Sequence, residues 1–219
     1  MKILCISDTV DPLIYSPSIL KRFSNIDMVI SAGDLRLNYY DYIVTNLNKP
    51  LLFIFGNHRL AGIEYYKNKL QFKDSFPLYK DKMKYFVGGS YIDKKVLIKK
   101  NVIIAGLGGS RWYNGGENQF TEFGMFLKIL FIIPQLIWNR IFHGRFLDIL
   151  VTHSPPWGIH DKKDQCHTGF KIFIPFINIF KPRFLLHGHI HLYNKNSNRK
   201  AKIKDTTVLN VYGHYILDI

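Results

Sequence analysis

Short apolar runs recur along the chain, and five of them stop at a cluster of polar side chains. Runs of this length and composition are typical of buried strands. Strands are predicted over Lys2–Ser7, Asp27–Ser31, Leu51–Phe55, Leu147–Val151 and Phe184–Leu186. Because ligands of α/β sheets bind beyond the carboxyl ends of the strands, we expect the polar clusters to meet there.

The segments between these strands predict helices and further strands. Helices are predicted over Pro17–Phe23 with Ser16 as N-cap, over Tyr39–Leu47, and over Gly169–Phe180 with a kink at Pro175. A β meander is predicted over Lys84–Leu107, and two final strands in the segments TTVLNVY and YILDI. With neither a linker nor an internal repeat, the pattern indicates one α/β domain over residues 1–219.

The stretch Phe120–Phe142 is the most apolar part of the chain. A membrane span needs roughly 20 mostly apolar residues, but polar residues and Pro134 interrupt this one. We therefore predict a long amphipathic helix, bent at Pro134 and packed on the core. Contact of its Phe126–Phe142 part with a membrane surface or a second copy stays open.

Charge and cysteine content limit the possible partners and the cellular compartment. The net charge is +14, but the lysines are scattered without a dense basic block, so nucleic acid stays open as a partner and is not favoured. A basic surface would attract a phosphorylated substrate. Cys5 and Cys166 are too few for a disulfide framework, and the start resembles no signal peptide. We expect a cytoplasmic protein.

The polar clusters combine carboxylates, an amide and imidazoles. In chain order they are Asp8, Gly33-Asp34, Gly56-Asn57-His58, Thr152-His153 and Gly188-His189-Ile190-His191. This donor set suits Mn, Fe or Zn better than Mg or Ca. Two such ions, roughly 3.5–4 Å apart, can clamp an in-line displacement at phosphorus.

This order of motifs resembles the calcineurin-like metallophosphoesterase superfamily, over Asp8 to His191. The resemblance implies a sandwich of two mixed β-sheets flanked by α-helices, and two divalent ions, Mn, Fe or Zn. It also implies a phosphoesterase, acting on diesters rather than monoesters, in which a hydroxide between the metals attacks phosphorus in line. The implied ligands are Asp8 and His191 for the first metal, Asn57, His153 and His189 for the second, and Asp34 for both. His58 would act as general acid near the leaving group.

Two positions depart from the family pattern. Val10 stands where the family usually has a histidine, and Arg59 where it usually has an acidic residue. Val10 leaves the first metal one ligand short, to be completed by water first, or by Asp11, His160 or His167. A cationic neighbour such as Arg59 disfavours protonation of His58. These departures keep an alternative open, a catalytically degenerate phosphoesterase fold that serves as a binding or scaffold module.

Two arginines are candidates for binding the substrate. In the glycine-rich stretch Gly106–Gly116, Arg111 could bind a phosphoryl oxygen, while Trp112 and Tyr113 line the pocket. An ordinary loop is the alternative for this stretch. Arg59, next to His58, is the second candidate.

Overall fold

The structure, a computed structural model, describes residues 1–67, 87–194 and 198–219. The described strands are β1 Lys2–Ser7, β2 Met28–Ser31, β3 Leu51–Phe53, β4 Ser90–Tyr91, β5 Lys95–Lys99, β6 Val102–Leu107, β7 Ser110–Arg111, β8 Gln119–Phe120, β9 Ile149–Thr152, β10 Phe184–His187, β11 Lys200–Ile203, β12 Thr206–Asn210 and β13 Gly213–Asp218. The described helices are α1 Ile19–Phe23, α2 Leu37–Leu47, α3 Ile63–Lys67, α4 Glu122–His143 and α5 Phe173–Phe180.

The strands form two large mixed sheets. The first sheet has the order β13-β1-β2-β3-β4, and the second has the order β11-β12-β10-β9-β6-β5. In each sheet the central strands run parallel, and the antiparallel strands β13, β11 and β5 lie at the edges. Parallel strands need cover on both faces, which explains why β1 is buried from Ile3 to Ser7.

The two sheets pack face to face, with helices outside them. Apolar side chains of the first sheet, such as Ile30 and Ile54, meet side chains of the second, such as Ile104 and Leu186. Helices α1, α2 and α3 cover the outer face of the first sheet. Helices α4 and α5 cover the second. The predicted sandwich of two mixed sheets flanked by helices is therefore confirmed.

The β meander predicted over Lys84–Leu107 is confirmed for its last two strands, β5 and β6, and wrong for β4; its first residues, 84–86, lie outside the described ranges. β4 pairs with β3 in the first sheet, whereas β5 and β6 form a hairpin in the second. The chain changes sheets within three residues, because Ile92 N donates to Phe53 O (2.9 Å) and Lys94 N to Gly106 O (2.9 Å). The last two strands, β12 and β13, likewise belong to different sheets.

Two predicted helices begin later than expected. α1 begins at Ile19, and the Ser16 hydroxyl bonds to the Ser18 hydroxyl (3.0 Å) instead of capping the helix. α5 begins at Phe173, so Pro175 lies in its first turn. Backbone N–H groups of a first turn have no helical acceptor, and Pro175 therefore removes no helical bond and gives no cause for a kink.

Helix α4 carries a buried lysine on its inner face. The helix begins after Thr121, whose hydroxyl accepts a hydrogen bond from Gly124 N (3.1 Å). One turn later, Lys128 points inward, and its Nζ lies 2.9 Å from Asp93 Oδ1. Asp93 also accepts from Gly108 N (2.7 Å), while Lys128 donates to Gly108 O. This ion pair ties α4 to the hairpin and to the glycine-rich loop.

We predict that Lys128→Met lowers the free energy of unfolding by about 3–5 kcal/mol, because Asp93 is left charged and buried without its cation. Adding Asp93→Asn should recover much of this loss. Urea denaturation followed by circular dichroism measures both, with Lys21→Met, at an exposed position of α1, as control. Equal stability of Lys128→Met and the unmodified protein would contradict the structural role of the pair.

Candidate metal centre

The polar clusters lie together where the parallel strands of both sheets end. Asp8 follows β1 directly, and His153 follows β9 directly. Backbone bonds join neighbouring loops within each sheet, from Asp8 N to Gly33 O (3.1 Å) and from Gly188 N to His153 O (3.1 Å). The fold therefore brings the clusters at the strand ends together, as the sequence predicted.

Three hydrogen bonds from the clusters hold the centre together, and two of them cross between the sheets. His153 Nδ1 donates to Ala32 O (2.8 Å), and His189 N donates to Asp8 Oδ1 (2.9 Å). Within the first sheet, His58 N donates to Asp34 Oδ1 (2.8 Å). Each carboxylate is thus held by a backbone N–H from another loop, which fixes its orientation.

The backbone at the centre adopts a conformation that L-residues rarely use. Asp8, Asp34 and His189 have φ values of 65°, 58° and 64°. Holding a residue other than glycine in the left-handed region costs about 1–3 kcal/mol of conformational free energy, and such residues cluster at functional sites. The backbone of Gly56 also lies close to two side chains of the centre. A Cβ at this position would collide with the Asp34 carboxylate and the His153 ring.

Asp34, His153 and His189 bring donor atoms within 4.8 Å of one another. His153 Nδ1 donates to Ala32 O, so Nε2, which lies 3.2 Å from Asp34 Oδ2, is the nitrogen that can bind a metal once its proton has left. His189 has the opposite arrangement, because its Nε2 donates to Cys166 O (2.7 Å) and leaves Nδ1 as the ligand atom. Such contacts of the second nitrogen orient metal-binding histidines.

Asn57 adds a fourth buried donor to this group. Its side-chain nitrogen donates to Tyr113 Oη (3.1 Å), which fixes the orientation of the amide. That oxygen is buried and has no hydrogen-bond partner among the described residues. Buried polar atoms are rarely left in this state. Tyr113, which the sequence suggested as a pocket residue, thus holds Asn57 in place.

Asp8 and His191 form a second, more open pair of donors. His191 Nε2 lies 3.9 Å from Asp8 Oδ1, and the side chain of His191 is 42% exposed. The other oxygen of Asp8, Oδ2, is buried without a hydrogen-bond partner in the described part of the chain. Val10 is 41% exposed and adds no donor, as the sequence indicated.

The side chains suggested as replacements for the missing ligand have other partners. Asp11 Oδ2 lies 2.6 Å from His214 Nδ1. His160 Nδ1 lies 2.9 Å from His187 Nε2. Water, the first choice from the sequence, stays a prediction for completing this coordination sphere.

A turn that the sequence analysis did not single out supports His189. Asp164 accepts hydrogen bonds from Cys166 Sγ (3.3 Å), His167 N (3.0 Å) and His167 Nδ1 (2.7 Å). This turn holds Cys166 O against His189 Nε2 and places the His167 ring 5.4 Å from the His189 ring. The signal for it was the Asp-Gln-Cys-His spacing, in which an aspartate side chain closes a turn on following residues.

Burial and mutual contact set the protonation of the centre. Burial raises the pKa of Asp8, with His153 opposing part of the effect. Burial acts in the same direction on Asp34, but contact with His153 outweighs it and lowers the Asp34 pKa. Burial disfavours a charged His153, yet Asp34 and Asp8 together raise its pKa to about 9. A proton on His153 therefore supplies the positive charge that these buried carboxylates require.

The remaining candidate residues lie around the centre. His58 and Arg59 are exposed and directly follow Asn57. Arg111 lies on β7, two residues before Tyr113. Their proposed roles in acid catalysis and substrate binding stay predictions.

Comparison with known proteins gives a consistent result. A family profile described as calcineurin-like phosphoesterase matches residues 1–193. One solved structure aligns with a TM-score of 0.66 at 12% sequence identity. The alignment covers 99% of this chain and 94% of the chain in that structure. The protein TT1561 of Thermus thermophilus aligns with a TM-score of 0.61 at 13% identity, covering 97% of this chain and 89% of its own. At these identities the two structures show the fold alone. No curated protein sequence matches the chain.

The proton on His153 predicts that metal binding depends on pH. A divalent ion must displace this proton, so affinity should rise about tenfold per pH unit up to the His153 pKa of about 9 and level off above it. Calorimetric titration of metal-free protein with Mn²⁺, in buffers of different ionisation heat, measures affinity and proton release together. His143→Gln, at an exposed position at the end of α4, should behave as the unmodified protein. Affinity that stays constant between about pH 7 and about pH 9 would contradict the assignment.

Proposed function

The chain belongs to the calcineurin-like phosphoesterase family, and on that premise we propose that it is a metal-dependent hydrolase of phosphodiester bonds. One observation carries the proposal: two buried oxygens, Asp8 Oδ2 and Asn57 Oδ1, lack hydrogen-bond partners among the described residues, and the loops that hold them follow strand ends, as do the loops of His153 and His189. Oxygen and imidazole donors left without partners in a buried cluster are what a divalent ion requires.

The centre fits two ions of the Mn, Fe or Zn kind. Asp34, Asn57, His153 and His189 would hold one ion, and Asp8, Asp34 and His191 the other. Asp34 would be the ligand common to both sets, because its Oδ2 lies near His153 and its charge acts on Asp8. When bound, the ions would supply an activated water and neutralise the phosphoryl oxygens.

The chain's own residues position the reacting groups. The backbone N–H of His58 binds Asp34, which anchors the loop while the His58 side chain stays exposed. From that position we expect His58 to donate a proton to the leaving oxygen, as the diester chemistry requires. Arg59, beside it, and Arg111, in the strand before Tyr113, would bind the phosphoryl oxygens.

Asp34→Asn should abolish hydrolysis of a generic aryl phosphodiester in the presence of Mn²⁺. The substitution removes a negative charge that both ions need, and we expect kcat/KM to fall by at least about a thousandfold. Initial rates measured beside those of a matched aryl phosphomonoester test the preference for diesters at the same time.

Asp41→Asn is the matched control, since Asp41 lies exposed on α2 and should keep full activity. Equal rates for Asp34→Asn and the unmodified protein would overturn the proposal. So would protein that binds no stoichiometric metal and hydrolyses neither ester, which is the result expected of a scaffold module.

We further propose that the two ion positions differ in affinity. The set around His153 has four protein ligands, and each is buried. The set around Asp8 has three, one of which, His191, is largely exposed and makes a hydrogen bond to Tyr193 Oη (3.0 Å). A set with fewer protein ligands, one of them exposed to water, should bind an ion more weakly, although an open position is typical of a catalytic metal.

Val10→His should tighten the weaker site, because it adds an imidazole two residues after Asp8. Asn57→Ala should chiefly weaken the tighter site by removing its amide oxygen. Competition titrations with a metal-sensitive dye, on metal-free protein, resolve the two constants, and Val44→His, on α2, is the control for adding a histidine elsewhere. Two equally tight sites in the unmodified protein would show that this assignment is wrong.

A further inference from the structure

The outer face of α4 carries a continuous apolar surface. It consists of the exposed residues Phe123, Phe126, Leu127, Leu130, Phe131, Pro134, Ile137, Trp138, Ile141 and Phe142. At about 100° per residue, these positions cover an arc of about 160° on the helix. That arc holds no charged side chain over the whole length of the helix, since Gln135 and Arg140 lie at its borders.

This surface is larger than single exposed apolar residues would explain. Phe131 is 71% exposed, Phe123 67%, Phe142 60% and Trp138 55%. With about 200 Å² for each aromatic side chain, the five aromatic residues alone expose roughly 600 Å². The largest apolar patch of a typical monomer is about 300–600 Å² in total, and the aliphatic residues of the face add to this value.

The surface continues onto α5. A shallow groove between the two helices is lined by Glu122, Phe123, Phe126, Lys171, Ile172 and Pro175. Ile179, one turn beyond Pro175, is 60% exposed. The outer layer of the second sheet therefore presents two neighbouring helices with apolar side chains directed away from the core.

Positive side chains border the outer face of α4. Lys94 Nζ lies 5.7 Å from the Phe131 ring centroid, and Lys171 Nζ lies 5.3 Å from the Trp157 ring centroid. Arg140 stands at the edge of the arc and is exposed. Lysine and arginine around a face rich in aromatic and leucine side chains are typical of surfaces that lie on anionic lipid.

The acidic groups near this face are already engaged. Glu122 accepts hydrogen bonds from Lys171 N (3.0 Å) and Ile172 N (3.1 Å). Asp93 is buried against Lys128, and Asp148 pairs with Arg145 (2.9 Å). The field at the face is therefore positive, in keeping with the net charge of +14.

We propose that the outer face of α4 docks on the surface of an anionic lipid bilayer. A second copy of the chain would bring the same cations and the same +14 charge against this face, which disfavours a face-to-face dimer. Lipid phosphates complement the bordering lysines, while the acyl boundary accepts the aromatic side chains.

The helix lies on the bilayer and does not cross it. Within the described residues, α4 alone is long and apolar enough to span a membrane by length and composition. Its inner face, however, packs on β6 and α5 through Met125 and Ile132, and Lys128 is held by Asp93. Insertion across the bilayer would break these contacts, whereas docking leaves them intact.

Co-sedimentation with vesicles tests the proposal on the full chain. The unmodified protein should pellet with vesicles of roughly three parts phosphatidylcholine to one part phosphatidylglycerol, and less with phosphatidylcholine alone. Phe131→Glu combined with Ile141→Glu should lower the partition coefficient at least about tenfold. Both positions are exposed, so the variant should keep its thermal unfolding midpoint.

Leu20→Glu is the matched control, because Leu20 is exposed on α1, a helix of the opposite outer layer, and should leave the partition coefficient unchanged. Trp112→Phe combined with Trp157→Phe leaves Trp138 as the single tryptophan of three. Its fluorescence should shift to the blue on vesicles and be quenched by brominated lipid.

Unmodified protein that stays in the supernatant with anionic vesicles at low salt would overturn the proposal. An equal partition coefficient for the double glutamate variant would do the same. A dimer in light scattering that the two glutamates abolish, without vesicle binding, would assign the face to a second copy instead.

Discussion

The structure depends on how two buried carboxylates, Asp8 and Asp34, are compensated where the two sheets meet. Buried charge is costly unless it is paired or bound to a cation. Backbone N–H groups of His189 and His58 bind one oxygen of each carboxylate, and His153 provides the positive charge. Asp8 Oδ2 and Asn57 Oδ1 remain buried without hydrogen-bond partners among the described residues, and these acceptors are the basis of the proposed cation site.

The fold and the centre support each other because the ligands tie the sheets together. His153 follows a strand of the second sheet and binds Ala32 O in the first, while Asp8 follows a strand of the first and binds His189 in the second. Left-handed backbone at Asp8, Asp34 and His189 is tolerated because these bonds fix each loop. The inner core then keeps the strand ends in register, and the loops that follow them hold the donor side chains close together.

Helix α4 meets two different constraints on its two sides. Its inner side buries Met125, Ile129 and Leu136 against the second sheet, and Lys128 enters that core because Asp93 is there to pair with it. Its outer side is apolar as well, although a helix on a soluble domain usually has a polar outer side. Packing buries the inner side, and the outer side is the face that we propose to dock on anionic lipid.

The sequence by itself determined which donor residues follow the ends of the apolar runs, because apolar runs and donor residues are local features. Asp8, Asp34, Asn57, His153 and His189 and the two-sheet sandwich followed from that pattern and the family resemblance. Only the tertiary structure decided which strands share a sheet, since the crossing at Ile92–Lys94 depends on bonds to Phe53 and Gly106 far along the chain. It also decided the unequal burial of the donors, the use of Tyr113 to orient Asn57, and which side of α4 faces outward. The burial of a side chain and the pairing of a strand depend on residues that are distant in sequence, so a local sequence pattern cannot predict them.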